Sequence, residues 1–177
     1  KSKGSEVFSN YRVTKFNFES DRITSIITED NKEFKSDFYI SAVPFFEFRD
    51  VFGENIYNRV SKAVNLKSSP IVNIHLRFEE HIDDVFIERF VGLLDTNVQW
   101  VFRTAKDMLT LVISSAGEIA EMDKELIIEI AVKELKMCIK GFENKKLKAS
   151  RVIKEMRATF VPDKESLNSR PDNTTIF

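Results

Sequence analysis

The stretch Ile71-Val72-Asn73-Ile74-His75-Leu76-Arg77-Phe78 constrains the fold more than any other. Val72, Ile74, Leu76 and Phe78 alternate with Asn73, His75 and Arg77, and an extended strand sends successive side chains to opposite faces. One face must be buried and the other left polar, the mark of antiparallel sheet packed on a core from one side. Partner strands are at hand. Phe86 to Leu94 and Val98 to Arg103 flank the turn residues Asp95-Thr96-Asn97 and predict a hairpin, and Met108 to Ser114 predicts another strand. Arg151 to Val161, stopped by Pro162, predicts a last one, with Val152, Met156, Ala158 and Phe160 on one face and Arg151, Glu155, Arg157 and Thr159 on the other. Gly117 to Lys140 predicts one helix. Ile119, Met122, Leu126, Ile127, Ile130, Ala131, Leu135 and Cys138 recur at three- and four-residue steps, acids come early, lysines come late, and Gly141 stands as a C-cap. The expected fold class is α+β, a mostly antiparallel sheet packed with helices.

Upstream, Val7-Phe8, Tyr11 to Phe18 and Arg22 to Thr28 are short β-like pieces separated by polar turn clusters, a small β-meander. It leads into Asp37-Phe38-Tyr39-Ile40-Ser41-Ala42-Val43-Pro44. So apolar a run between Asp and Pro predicts a strand buried on both faces, as in parallel sheets, whose C-terminal end is where open α/β sheets bind ligands. Phe45, Phe46, Phe48, Val51 and Phe52 then predict a short helix ended by Gly53, and Glu54 to Val64 continues helix-like until Ser68-Ser69-Pro70 breaks the pattern. The tail from Asp163 to Phe177, with Arg170-Pro171-Asp172, is polar and turn-rich.

Composition excludes several functions. A net charge of −1 offers no basic field for a phosphate backbone, so nucleic acid is not an expected partner. The five glycines, at 4, 53, 92, 117 and 141, are too dispersed for a phosphate-cradling loop, and neither G-x-G-x-x-G nor G-x-x-x-x-G-K-[ST] occurs. A complete nucleotide-binding domain is therefore excluded, although a piece of one is not. Two histidines and one cysteine leave no zinc motif, so no metal is expected. Cys138 cannot form an internal disulfide and reads as a buried thiol in a reducing compartment, which makes the expected location cytoplasmic. No apolar run approaches the roughly eighteen residues needed to span a bilayer, and Lys1 to Glu6 has no signal-peptide stretch behind it.

No catalytic constellation emerges. The acids around His81 read as a solvated turn, and His75, between Asn73 and Arg77, reads as an exposed or hydrogen-bonded histidine before it reads as a cleft lining. Ser114-Ser115 lacks the nucleophile elbow and precedes a helix, where serines usually cap. Trp100, the sole tryptophan, is either a core residue or, if the sheet faces a ligand, part of an aromatic wall with Phe102. Sixteen phenylalanines exceed what a core of this size needs.

Several stretches together resemble one family. Ala42-Val43-Pro44 after an Asp-led strand, Ser69-Pro70-Ile71-Val72-Asn73-Ile74-His75-Leu76, Val91-Gly92-Leu93-Leu94 leading to Gln99-Trp100-Val101-Phe102, Val152-Ile153-Lys154-Glu155 with Arg157-Ala158-Thr159-Phe160, and Arg170-Pro171 resemble the middle of FAD-dependent amine oxidase superfamily proteins. The nearest branch by this resemblance is that of squalene-associated desaturases and dehydroxylases, related to phytoene desaturases. The glycine-rich FAD fingerprint and the C-terminal Gly-Asp segment of that family are absent, so the resemblance implies an internal fragment. It assigns residues 1–44 to a meander and strand of the FAD-binding domain, 45–161 to the substrate-binding domain and 162–177 to a tail returning toward the FAD domain. It further implies that Val7, Ala42, Val43 and Pro44 approach FAD in the parent protein, and that His75, Trp100 and Phe102 face a hydrophobic polyisoprenoid substrate. Flavin carries the chemistry in such enzymes, in keeping with the lack of a nucleophile or acid/base pair. For this chain alone, neither flavin binding nor turnover is expected; the parent protein has room for peripheral membrane contact. Two other readings stand beside this one: a fragment of a flavin amine oxidase with a smaller substrate, and a non-enzymatic binding module.

Overall fold

In the computed structural model, which describes residues 4–20, 22–59 and 66–169, the chain divides into two compact units: Lys1–Leu66 with Pro162–Phe177, and Lys67–Val161. The second unit is built on a five-stranded antiparallel sheet in the order β5-β6-β7-β4-β8. Its strands are β4 (Ser68–Phe78), β5 (Phe90–Gly92), β6 (Trp100–Ala105), β7 (Met108–Ser114) and β8 (Leu147–Phe160). The alternation in β4 behaves as the pattern predicts: Val72, Ile74 and Leu76 are wholly buried, while Asn73, His75 and Arg77 turn to the other face. Leu109, Leu111 and Ile113 of β7, Val101 of β6 and Val152 of β8 share the buried side.

Two helices cover that side: α2 (Gly117–Glu121), packed against β4, and α3 (Lys124–Cys138), packed against β8. The single helix expected from Gly117 to Lys140 is thus broken at Met122 and Asp123, both of extended backbone. The Met122 carbonyl, with no place in the ladder of α3, accepts a hydrogen bond from Lys154 Nζ on β8, which repays part of the cost of the break. The N-cap of α2 is Ala116 and makes no side-chain cap, so the serines before it do not act as expected. Ile127, Ala131 and Leu135 bury as the stripe predicts, whereas Leu126 is 46% exposed. Cys138, expected buried, is exposed; it is the last residue of α3, beyond Leu135, where burial ends. Gly141 lies past the cap, which is Ile139, and begins a 3₁₀ turn (Phe142–Asn144) with φ 97°. A Cβ there would stand 2.5 Å from Val85 Cγ1, so both backbone and space demand glycine.

Two further corrections concern the β4–β8 edge. Ser68-Ser69-Pro70 opens β4 instead of breaking the chain, because the register shifts between Ser69 and Ile71 and proline is tolerated at such an irregularity. Across it, Ser69 pairs with Thr159 and Ile71 with Glu155, so Met156 to Ala158 bulge and Met156 is 43% exposed, off the core face assigned to it.

The first unit holds a three-stranded antiparallel sheet, β1 (Val13–Glu19), β2 (Arg22–Thr28) and β3 (Glu33–Phe34). Val7 and Phe8 are not a strand. A 3₁₀ turn (Phe45–Glu47) leads into α1 (Phe48–Arg59), which is interrupted at Gly53, φ 74°, where the sequence predicts a stop. α1 packs against β1, with Phe52 stacked on Phe16 at 4.5 Å, and residues 45–66 group with the meander. The helical continuation to Val64 and the turn Arg170-Pro171-Asp172 fall outside the described residues.

Asp37 to Pro44 is the largest departure. It forms no strand; Phe38 is 85% and Ile40 96% exposed. Burial on both faces needs a strand on each side and a layer above and below, and no described strand pairs with this segment. Tyr39 and Asp37 anchor it: the Tyr39 hydroxyl donates to the Thr24 carbonyl at 2.9 Å and accepts from Ser36 N–H at 2.9 Å, and the Asp37 carbonyl accepts from the Arg22 guanidinium at 3.2 Å. Among the described residues, no helix is long and apolar enough to cross a membrane.

Candidate functional site

Two surfaces gather the residues singled out in the sequence, one in each unit. In the first, Ala42 and Val43 line an apolar groove of about 390 Å³ with Val13, Phe16, Ile23 and Phe52 among its walls. Pro44 does not line it, and Val7, 79% exposed, lies apart from it. The groove suits the edge of a flat apolar ring. It does not suit a pyrophosphate: no cationic side chain lines it, and the described residues contain no glycine-rich turn to aim N–H groups at an anion. Among the described residues this groove therefore offers apolar contact and no phosphate cradle.

In the second unit, the face of the sheet opposite the helices is open and aromatic at one edge. Phe90 of β5 and Trp100 and Phe102 of β6 form a triangle of rings with centroids 6.0 to 6.3 Å apart. Trp100 and Phe102 incline by 28°, Phe90 and Phe102 by 32° and Phe90 and Trp100 by 52°, so the rings form a contiguous but uneven aromatic patch. Their exposures are 57%, 45% and 37% for Phe90, Trp100 and Phe102. Gly92 is paired with Trp100, and its bare Cα gives the indole a floor. His75 lies on the same face two strands away, Nδ1 2.9 Å from Thr110 Oγ1. Trp100 and Phe102 are thus exposed on a face, not buried in the core, and His75 joins them there without touching them.

Sequence reasoning missed the group that holds this wall in place. Glu134 of α3 is 8% exposed, and Oε1 accepts from Asn97 N–H (3.0 Å) and Asn97 Nδ2 (2.7 Å) while Oε2 accepts from Val98 N–H (2.9 Å). It ties the hairpin loop just before Trp100 to the helix. The available signal was a carboxylate at a face position between Ala131 and Leu135, because a charge in an apolar stripe is rarely buried unless partnered. The acidic turn after β4 is structural: Lys145 Nζ donates to the His81 carbonyl at 2.8 Å and to both Asp84 oxygens, and this bond holds the Asp84 carboxyl below its usual range. No group of three or more metal-ligating side chains occurs among the described residues.

The family model of the flavin containing amine oxidoreductases matches residues 1–162. The chain belongs to this family. No curated protein matches it. Among solved structures, a double mutant of putrescine oxidase aligns with 84% of the chain at TM-score 0.65 and 14% identity. An oxidoreductase from Methanosarcina mazei aligns with 83% at TM-score 0.58 and 15% identity, and a reduced UDP-galactopyranose mutase with 82% at 0.57 and 13%. At such identities the likeness is one of fold: mixed helices and antiparallel sheets of the flavin amine oxidase kind. The chain spans 35%, 37% and 34% of those three structures, about a third of their length.

Proposed function

We propose that this chain is the substrate-facing part of an FAD-dependent oxidoreductase acting on a polyisoprenoid, of the squalene and phytoene desaturase or dehydroxylase type. The observation that carries the reading is the platform of Phe90, Trp100 and Phe102. A saturated or polyene chain gains by covering flat apolar area and needs few polar contacts. An amine substrate would call for rings facing one another across a cation, or a carboxylate beside them; these rings lie side by side, and the two cross-strand rows that contain Phe102 and Trp100 hold no acid. In this reading residues 1–44 belong with the cofactor domain, Ala42, Val43 and Pro44 approach the flavin with Val7 nearer its adenine end, and residues 45–161 form the substrate domain. Flavin supplies the redox chemistry when bound, and the chain supplies orientation and exclusion of water.

The test uses the whole protein, loaded with FAD. A polyisoprenoid of squalene type should change the flavin's redox state, starting from either its oxidised or its reduced form, while putrescine should not. Turnover of the diamine without turnover of the isoprenoid would overturn the reading.

A further inference from the structure

We infer that the outer edge of β8 pairs antiparallel with the same edge of a second copy of this chain, joining two five-stranded sheets about a two-fold axis at Ile153. The inference does not depend on the substrate reading above. β8 is 14 residues long and ends the sheet, and no described strand pairs with its outer side. From Ala149 to Glu155 it follows β4 without a register shift. Its outward groups can be named. The Pro70 carbonyl and the Phe78 N–H of β4 point away from β8 and bond Ala116 and Asp107 on the β7 side. Backbone groups of successive residues alternate between the two sides of a strand, so Ile71, Asn73 and His75 turn theirs to their β8 partners Glu155, Ile153 and Arg151. Ser150, Val152 and Lys154 therefore hold their N–H and C=O groups outward.

A free edge invites pairing, and basic residues along it usually guard against that. β8 carries Lys148, Arg151, Lys154 and Arg157, with one acid among them, Glu155. The place of that acid decides the register. With Ile153 opposite Ile153 of the second copy, Arg151 faces the copy's Glu155 and Glu155 faces the copy's Arg151, both on the open face of the sheet. Val152 and Lys154, the outward-pointing residues, then exchange backbone hydrogen bonds on either side of the axis. Sliding the copy by two residues one way opposes Lys154 to its own copy and Arg151 to Arg157. Sliding it the other way opposes Arg151 to Ile153 and Glu155 to Ala149, leaving both charges unpaired. Within one chain, Arg151 and Glu155 stand about 13 Å apart along the strand, and neither forms an ion pair with a described residue. Ile153 is 40% exposed, and its counterpart would cover it. The bulge at Met156 to Ala158 ends the regular stretch, so the contact is short and the dimer weak.

Sedimentation velocity across a concentration series of the chain should show a monomer–dimer equilibrium with a dissociation constant on the order of 10 to 100 μM, weakened by salt as exposed ion pairs are screened. Arg151→Glu or Glu155→Arg, each at an exposed position, opposes like charges at both ends of the contact and should weaken association roughly tenfold. An equimolar mixture of the two variants restores both oppositions and should associate about as tightly as the unaltered chain. In a Cys138→Ser background, Ile153→Cys should yield a disulfide-linked dimer on oxidation, because residues that face each other at a non-hydrogen-bonded site lie close enough to bridge. A chain that stays monomeric throughout the series, a dimer indifferent to both charge reversals, a mixture no tighter than its components, or an Ile153→Cys chain that does not cross-link would overturn the inference.

Discussion

Glu134 sits where α3 otherwise presents small and apolar side chains to the sheet, and its three accepted hydrogen bonds all go to Asn97 and Val98. Glu134→Ala would leave two backbone N–H groups without partners, a loss of about 3 kcal/mol that a denaturant midpoint would register, with a shift of Trp100 emission as the loop before it loosens. Glu134→Gln keeps an acceptor and should lose roughly half as much. Gly141→Ala meets two obstacles at once, a left-handed φ and the Val85 side chain, and should cost about 2 kcal/mol or more by thermal unfolding. The Asp84–Lys145 pair gives a pH dependence of known sign. Because the bond lowers the Asp84 pKa in the folded chain, its contribution is present above the unfolded carboxyl's pKa and is lost as pH falls through the lowered value. The protection of residues 79–85 against hydrogen exchange, relative to the intrinsic rate at each pH, should therefore fall in acid, and Asp84→Asn should remove that acid step.

At the level of elements, the alternation of β4 and the period of α3 separate what a pattern shows from what it misses. Both name the buried residues well: Val72, Ile74 and Leu76 on the strand, Ile127, Ala131 and Leu135 on the helix. Neither shows where coverage ends, so Leu126 and Cys138 satisfy the period and still face solvent. Leu135→Ala should accordingly cost about 3 kcal/mol and Leu126→Ala under about 1 kcal/mol, a contrast measurable by chemical denaturation. The break at Met122 and the bulge of β8 lie beyond any local pattern, because each is settled by a partner distant in sequence: Lys154 for the first, the shifted register against Ser69 and Ile71 for the second.

Across the whole molecule the core is unevenly shared. Nineteen of the buried apolar residues form one cluster, and all lie between Val72 and Val152 in the second unit; Ile23 is the only one in the first among the described residues. Stability follows buried apolar area, so the two units should not unfold together. Limited proteolysis should cut the first unit early and leave a resistant piece close to Lys67–Val161; cleavage beginning within the five-stranded sheet would contradict this. The cofactor prediction belongs at the same scale. With a groove that fits a ring and no cradle for a pyrophosphate, the purified chain should carry no stoichiometric flavin, which a visible absorption spectrum would check.

The family was legible in the order of several short stretches, and so was the antiparallel half of the fold, because alternation in β4 and β7 is a local record of which face is dry. The candidate site was legible only in part. Trp100 and Phe102 stand two apart in one strand, so their shared face follows from the pleat, but that this face is open, that Phe90 completes it and that His75 lies two strands along depend on strand order and register, which no local pattern encodes. Asp37 to Pro44 shows the opposite case. Its residues have the composition of a buried strand, yet a strand is made by its neighbours' hydrogen bonds and side chains, and with no described strand beside it the segment keeps Phe38 in solvent and lays Ile40, Ala42 and Val43 along an open groove.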